Sequence, residues 1–397
     1  MVEYFNMSKR LIRTIAYTLL AAVLLSALSG CASWDNFRKA FIDPPIDDGT
    51  VIKVGVYEPL TGELSKEAAD ELVGIELAHE MYGSILGSRV ELVYVDNKSD
   101  MEHAAETAQA MADEHVAAVI GSYGNMLSMA AGEVFREAHL PAVAASCTNP
   151  LLTQTNDFYA RACYIDTFEA RGAADYIYSK LGQTSAGIMY YDDNDFAKIK
   201  PEEFSTYMKS LIGEDHISAA PIPRDLEDFS EIFLAFSGRG IKSIYLPEKV
   251  DAAVQIMAKA KELGYDFTWI GTSEWKGITV EGAVYTVDFD PEETLSGMTQ
   301  SFLRAYADKF GAGTTPSEAV ALGFDAYLIA IIGIREAGGT DNGDLIARKI
   351  CTIKGLAGAT GSITMDDHGD PIKNIIIRKI TNGKPETVYT AIPGRNE

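Results

Sequence analysis

Short apolar runs recur from residue 51 onward, each followed by a longer stretch whose apolar positions repeat with helical spacing. Val51–Tyr57, Val90–Val95, Ala117–Ile120 and Ala142–Ala145 read as strands, with helices between them at Lys66–Met81, Met101–Asp113 and Met126–Ala138. Apolar runs too short for a helix, separated by amphipathic crossovers, make βαβ units and a parallel sheet. The rhythm restarts after Asp166. Helices are expected at Phe168–Leu181, Pro201–Leu211, Phe229–Phe236 and Ala253–Leu263, and strands at Gly187–Tyr191, Ser218–Pro221, Ser243–Leu246 and Phe267–Ile270. Helices at Leu295–Phe310, Glu318–Glu336 and Asn342–Thr352 come next, then strands Asn374–Thr381 and Glu386–Ala391 around Asn382-Gly383, a favoured hairpin turn. The expectation is an α/β chain with two doubly wound, Rossmann-like lobes. A length of 397 residues is also more than one core usually supports.

The first thirty residues obey a different logic. Lys9, Arg10 and Arg13 precede an apolar stretch from Ile15 to Leu28, interrupted only by Thr18 and Ser26. That is the length of a signal-peptide core and short for a bilayer span. It ends in Leu28-Ser29-Gly30-Cys31, which resembles the bacterial lipobox, a signal in which the cysteine is acylated and becomes the new N-terminus. Cys31 is therefore expected to carry the lipid, since two acyl chains give stable anchoring at roughly 0.8 kcal/mol per buried CH2. An ordinary secretory signal with an incidental cysteine is the alternative. Residues 31–50, with Pro44-Pro45 and Asp47-Asp48-Gly49, show no periodic apolar face and read as a tether.

The formal net charge is −23 and the leader is basic, so the chain beyond the leader is more acidic still. A field of that sign repels nucleic acid and anionic headgroups. Cys147, Cys163 and Cys351 are odd in number and widely spaced, matching neither a disulfide framework nor a zinc site. Buried thiols are expected, with a Cys147–Cys163 disulfide left open. There is no G-x-G-x-x-G after the first strand, no Walker A sequence, no G-x-S-x-G and no H-E-x-x-H. The six histidines never pair at helical metal spacing. Neither an enzyme nor a cofactor or metal site is expected.

Several motifs then fall in one order: Glu58-Pro59-Leu60-Thr61-Gly62, Gly121-Ser122-Tyr123-Gly124-Asn125, Pro141 through Pro150, Arg161 through Asp166 with Phe168, Gly323-Phe324-Asp325-Ala326, and Gly361 through Gly369. Over residues 51–391 the chain resembles the branched-chain amino-acid-binding (Leu/Ile/Val-binding) family of type I periplasmic binding proteins of ABC transporters. The resemblance implies two lobes joined by three crossings, with ligand held between them at the carboxyl ends of the strands. The crossings are expected near Asp166, near Asp288 and between Thr352 and Thr360. Lobe 1 would then comprise 51–166 plus 289–355, and lobe 2 would comprise 167–288 plus 356–393.

An amino-acid ligand presents a carboxylate and an ammonium. The resemblance places Tyr123 and Asn125 at a helix N-terminus, a ready anion site, with Asn125 where the family commonly has Ser; an N-cap is its plain alternative. Ser146 and Thr148 match the second contact loop, the Ser146 carbonyl facing the ammonium and Thr148 donating to the carboxylate. Phe196 stands where the family's closing aromatic is usually Tyr. Glu274, or by a one-residue shift Ser273, matches the ammonium partner, and Trp275 is either a ligand wall or a packing residue. Glu67 occupies a position often aromatic in relatives; facing the cleft with Asp193 or Asp195 it would favour a polar or cationic ligand, and on the surface it would only favour the helix N-terminus. The implied function is an extracytoplasmic, lipid-anchored, monomeric solute-binding protein, at the cell surface or in the periplasm, that delivers a small molecule to ABC permease subunits. The alternative is a ligand-sensing module acting on a separate signalling partner, since no output domain succeeds the last strand.

Overall fold

The computed structural model describes residues 50–193, 195–292 and 296–391, with the side chains of 195 and 196 excepted. The leader, Cys31 and all of the tether but Thr50 lie outside the described residues. In chain order, β1 (Val51–Glu58) leads to α1 (Ser65–Met81), β2 (Ser84–Ile85), β3 (Ser88–Asp96), α2 (Ala104–Asp113), β4 (Val119–Ile120), α3 (Asn125–Glu137), β5 (Ala142–Ala144), the single turn α4 (Leu151–Gln154) and β6 (Tyr159–Arg161). The sheet runs β2-β3-β1-β4-β5-β6, parallel apart from the β2–β3 pair. β1 is buried from Val54 to Glu58, on both faces, as a central parallel strand must be.

The second block opens with α5 (Asp166–Asp175), prolonged by a π-helical turn over Tyr176–Lys180. Then come β7 (Ala186–Tyr191), α6 (Ile199–Ile212), β8 (Ile217–Ile222), α7 (Ser230–Gly238), β9 (Ser243–Tyr245), α8 (Val250–Glu262), β10 (Thr268–Gly271) and β11 (Val284–Val287). The chain returns to the first sheet with α9 (Gly297–Phe310), α10 (Glu318–Ala337) and α11 (Gly343–Cys351). After the hairpin β12 (Leu356–Gly358) and β13 (Gly361–Ile363), β14 (Ile375–Thr381) and β15 (Lys384–Ala391) close the second sheet, whose order is β15-β14-β11-β10-β9-β7-β8.

α10 explains how the first lobe holds together. It is apolar all round and buried from Val320 to Ile334, the pattern of a helix sandwiched inside a core. The Ser317 hydroxyl caps its start by accepting from the Val320 N–H at 3.3 Å, and Gly338 ends it at φ 76°. It meets α1 backbone to backbone: a Cβ on Gly74 would lie 2.0 Å from the Val320 carbonyl oxygen, and one on Gly323 would lie 2.2 Å from that of Glu71.

The third crossing differs from expectation. Residues 356–365 pack with the first lobe, not the second. Leu356, Ile363 and Met365 join the cluster of Phe302, Phe324 and Ile331. Asp325 of α10 accepts from the N–H groups of Ala359 at 2.5 Å and Thr360 at 3.0 Å, and Thr299 of α9 donates to the Ala359 carbonyl at 2.8 Å. The third passage between sheets therefore lies after β13, around Lys373. One carboxylate gathers all three passages: Asp288 Oδ1 accepts from the Tyr164 N–H at 3.2 Å and pairs with Lys373 Nζ at 3.3 Å. Lys373 in turn donates to the Ala162 carbonyl at 3.1 Å.

Candidate functional site

A cavity of about 400 Å³ opens between the lobes, lined on one side by Tyr123, Gly124, Asn125, Ser146 and Thr148 and on the other by Lys200, Ser273, Glu274 and Lys276. The first wall is two loops at the carboxyl ends of β4 and β5. Gly124, at φ 91°, turns the chain into α3 with no side-chain cap, so the first amides of that helix have no intrahelical acceptor. Asn125 Oδ1 accepts from Cys147 Sγ at 3.0 Å and from the Asn149 N–H at 3.2 Å, tying the turn to the next loop and leaving its NH2 group as the donor. Below the wall, Glu58 accepts from the Tyr123 N–H at 2.7 Å and Glu71 accepts from the Ser146 hydroxyl. Burial pushes the Tyr123 phenol up to about 12, helped by the charge of Glu71.

The second wall is organised by Glu169, which is fully buried. It accepts from the Ser273 N–H at 2.8 Å and the Thr286 hydroxyl at 2.5 Å, and Lys200 Nζ lies 2.6 Å away. Burial raises this carboxyl, but the Lys200 charge and those hydrogen bonds outweigh it and hold Glu169 below its usual range. Lys200 also pairs with Asp166 at 3.1 Å. The first turn of α10 closes the cavity from behind with Glu318, Ala319 and Leu322, next to Cys163 and Asp288. Burial lifts Glu318 to about 8, with Asp288 adding to the shift, even though Glu318 accepts from the Asp288 N–H at 2.5 Å.

The structure thus brings Tyr123, Asn125, Ser146, Thr148 and Glu274 to one cavity. Trp275 takes the packing role: it is fully buried, and its indole N–H donates to the Glu248 carbonyl at 2.8 Å. Glu67 is exposed on the first turn of α1 and is not among the described residues lining this cavity, although its charge reaches Tyr123. Asp193 is paired with Arg224 and is not among the described residues lining the cavity. The Phe196 side chain lies outside the described residues. Cys147 and Cys163 are free thiols, with Cys163 Sγ donating to the Cys147 carbonyl at 3.3 Å.

A model of the periplasmic binding protein family matches residues 51–385. The chain belongs to that family. Leu/Ile/Val-binding protein homolog 3 of Brucella melitensis biotype 1 is 23% identical over 366 residues, spanning 89% of this chain and 94% of its own. A leucine-binding protein, LivK, of Thermotoga maritima shares the fold at 28% identity and TM-score 0.73, over 86% of this chain and 99% of that one. So does a solute-binding protein of an ABC transporter from R. palustris, in complex with benzoate, at 17% identity and TM-score 0.68, over 87% and 97% of the two chains.

Membership makes the chain a solute-binding protein of the type I periplasmic group and not an enzyme. The family is extracytoplasmic. Among the described residues, no helix is long and apolar enough to cross a membrane. What sequence reasoning missed are one residue of the second wall and one at the back of the cavity. Lys200 and Glu318 sit in the first turns of α6 and α10. Periodicity assigns those residues to helices, but it does not tell which helix N-terminus opens onto the cleft.

Proposed function

We propose that this chain is a lipid-anchored extracytoplasmic binding protein that captures an amino acid with a hydrogen-bonding side chain and delivers it to an ABC importer. One observation carries the reading: a single cavity with uncommitted donors on one lobe and a carboxylate on the other. The α3 amides, the Asn125 NH2 group and Thr148 would take the ligand carboxylate, and Glu274 its ammonium. Leucine and benzoate, named for the two structural relatives, share a carboxylate beside an apolar group, and only leucine adds an ammonium. The polar tail is argued from this chain's own residues. Among the described residues at the back, Ala319 and Leu322 offer the aliphatic surface, against Glu318, Lys276, Lys200 and Asp288. Lys200 and Asp288 already have partners within the protein, but an aliphatic tail there would cover the Lys276 ammonium and the second carboxyl oxygen of Glu318 without pairing them, at about 1–3 kcal/mol each. Because ligand touches both walls only when the lobes approach, it would stabilise the closed state presented to the permease. Cys31 would supply the membrane anchor.

A thermal-shift screen of the chain without its leader against the twenty L-amino acids tests this. Glutamine, asparagine or a charged amino acid should raise the melting temperature more than leucine does. Glu274→Gln should then weaken the best ligand by about tenfold or more, the value of a charge-assisted hydrogen bond. No shift with any of the twenty would sink the amino-acid assignment; leucine at the top of the ranking would sink the polar tail alone. Replacement of Cys31 by Ser should release the protein from the membrane fraction.

A further inference from the structure

Behind the first wall lie two carboxyl groups that a ligand in the cavity would not reach. Glu58 ends β1, Glu71 sits in the second turn of α1, and both are fully buried. One oxygen of each holds a piece of the wall: Glu58 Oε2 takes the Tyr123 N–H, and Glu71 Oε1 takes the Ser146 hydroxyl. The remaining oxygens, Glu58 Oε1 and Glu71 Oε2, are buried without a hydrogen-bond partner, and the charge of Glu71 acts on Glu58. Two buried carboxylates that feel each other repel when both are ionised, so the pair favours keeping a proton.

No cation relieves the pair among the described residues. Asp70 acts on Glu71 from the same helix. Tyr57 of β1 and Tyr159 of β6 feel the charge of Glu58, and Tyr123 feels both carboxyls together with Glu67 and Glu274. α10 meets this part of α1 with Gly323, which brings no charge.

We propose that Glu58 and Glu71 are positioning residues whose protons set the affinity of the site: the wall holds a ligand carboxylate while the pair is neutral and loses it as the pair ionises. This rests on the reading of the Asn125–Thr148 wall as a carboxylate site. Neutral, the pair anchors the Tyr123 turn and the Ser146 loop without opposing an anion. Ionised, it puts uncompensated negative charge directly behind the donors. Burial raises both groups, Glu58 well above the carboxylate range and Glu71 to about 7, and they titrate as a unit. The neutral pair is the binding form, so affinity is greatest in mildly acidic solution and falls as pH rises through neutrality. Linkage to one proton gives about a tenfold loss between pH 6 and pH 8.

Two measurements decide it. In the ligand-free chain labelled with 13C at glutamate carboxyls, a signal that titrates near neutrality, distinct from that of Glu318, should vanish in Glu71→Gln; its absence would overturn the proposal. Calorimetry with the best-binding member of the twenty L-amino acids should show about tenfold weaker binding at pH 8 than at pH 6. Glu71→Gln, a permanently neutral isostere, should lose most of that difference between the two pH values, what is left being the share of Glu318. Equal wild-type affinity at pH 6 and pH 8, or a variant weakened equally at both, would reduce the pair to a structural role and leave the amino-acid reading standing. Failure of all twenty to bind at either pH would instead remove that reading and the proposal with it.

Discussion

Arg161→Met should cost the chain about 3–5 kcal/mol at neutral pH, the penalty for stripping one partner from a buried charged network. Arg161 is fully buried in the middle of the fold's first lobe, with Nε 2.7 Å from Asp370 Oδ1. Its Nη1 donates to the Cys147 carbonyl at 2.6 Å and its Nη2 to the Thr153 hydroxyl at 2.9 Å. One side chain therefore joins β6, the ligand loop, α4 and the segment leading to the third crossing. Without it, Asp370 keeps its burial and only the Thr153 hydroxyl as a side-chain donor at 3.0 Å. Burial already raises the Asp370 carboxyl, and the Arg161 charge is the main force pulling it back. In the variant its folded-state value must rise further, so the variant binds more protons folded than unfolded as the solution is acidified. Its deficit relative to wild type should accordingly shrink from pH 7.5 to pH 5. Urea denaturation at the two pH values checks both statements. Arg161→Met with Asp370→Leu should recover a large part of the loss, because removing both charges leaves nothing stranded. A single variant as stable as wild type, or a deficit that grows on acidification, would show that the network is not what holds these segments.

Arg161 also marks where sequence reading stops. The long alternations of β1, α1, β3 and the second-lobe helices are legible because their apolar positions repeat locally, and local repetition is what periodicity detects. Arg161 reads as the start of a crossover, and Tyr159–Arg161 is not recognised as a strand because three residues with an arginine among them make no apolar run; the distant Asp370 makes burying that charge tolerable. Val284–Val287 escapes for a related reason, as its strand character is completed by antiparallel pairing with Ile376–Lys379. The 356–363 hairpin is rich in glycine and alanine, and its position is fixed by Asp325 on α10. Assigning it to the second lobe is an error about a contact partner, which no local pattern records.

The site divides in the same way. Tyr123, Asn125, Ser146, Thr148 and Glu274 lie just beyond strand ends, where an open α/β sheet places its ligand, so topology and motif order locate them. Motif order leaves Trp275 between two roles, and the short turn Ser273–Trp275 settles it by sending Glu274 outward and the indole into the core. Glu67 is singled out by position and proves to be solvent-facing. The polar back of the cavity comes from Glu318, which reaches it only because the chain returns through Asp288 to the first lobe, opposite Lys276 of the second wall.

Gly323→Val should be the most damaging single change near the site that touches no ligand-lining atom. Any Cβ at 323 would lie 2.2 Å from the Glu71 carbonyl oxygen, and that oxygen belongs to a helix backbone that cannot rotate away. Relief requires α1 and α10 to separate. Overpacking of this kind costs about 1–3 kcal/mol for a single methyl, and the branched side chain should reach the upper end or beyond. The separation would also carry Glu71 off Ser146 and Glu58, so ligand affinity should fall and its dependence on pH between 6 and 8 should flatten. Gly339→Ala is the control: no atom lies within 4 Å of the added Cβ, and stability should stay within about 0.5 kcal/mol of wild type. Denaturation midpoints and calorimetry on the two variants separate the effects. A Gly323→Val protein of normal stability would mean that the two helices do not touch at that point. A destabilised one that still binds with the wild-type pH profile would mean that the carboxyl pair does not depend on their contact.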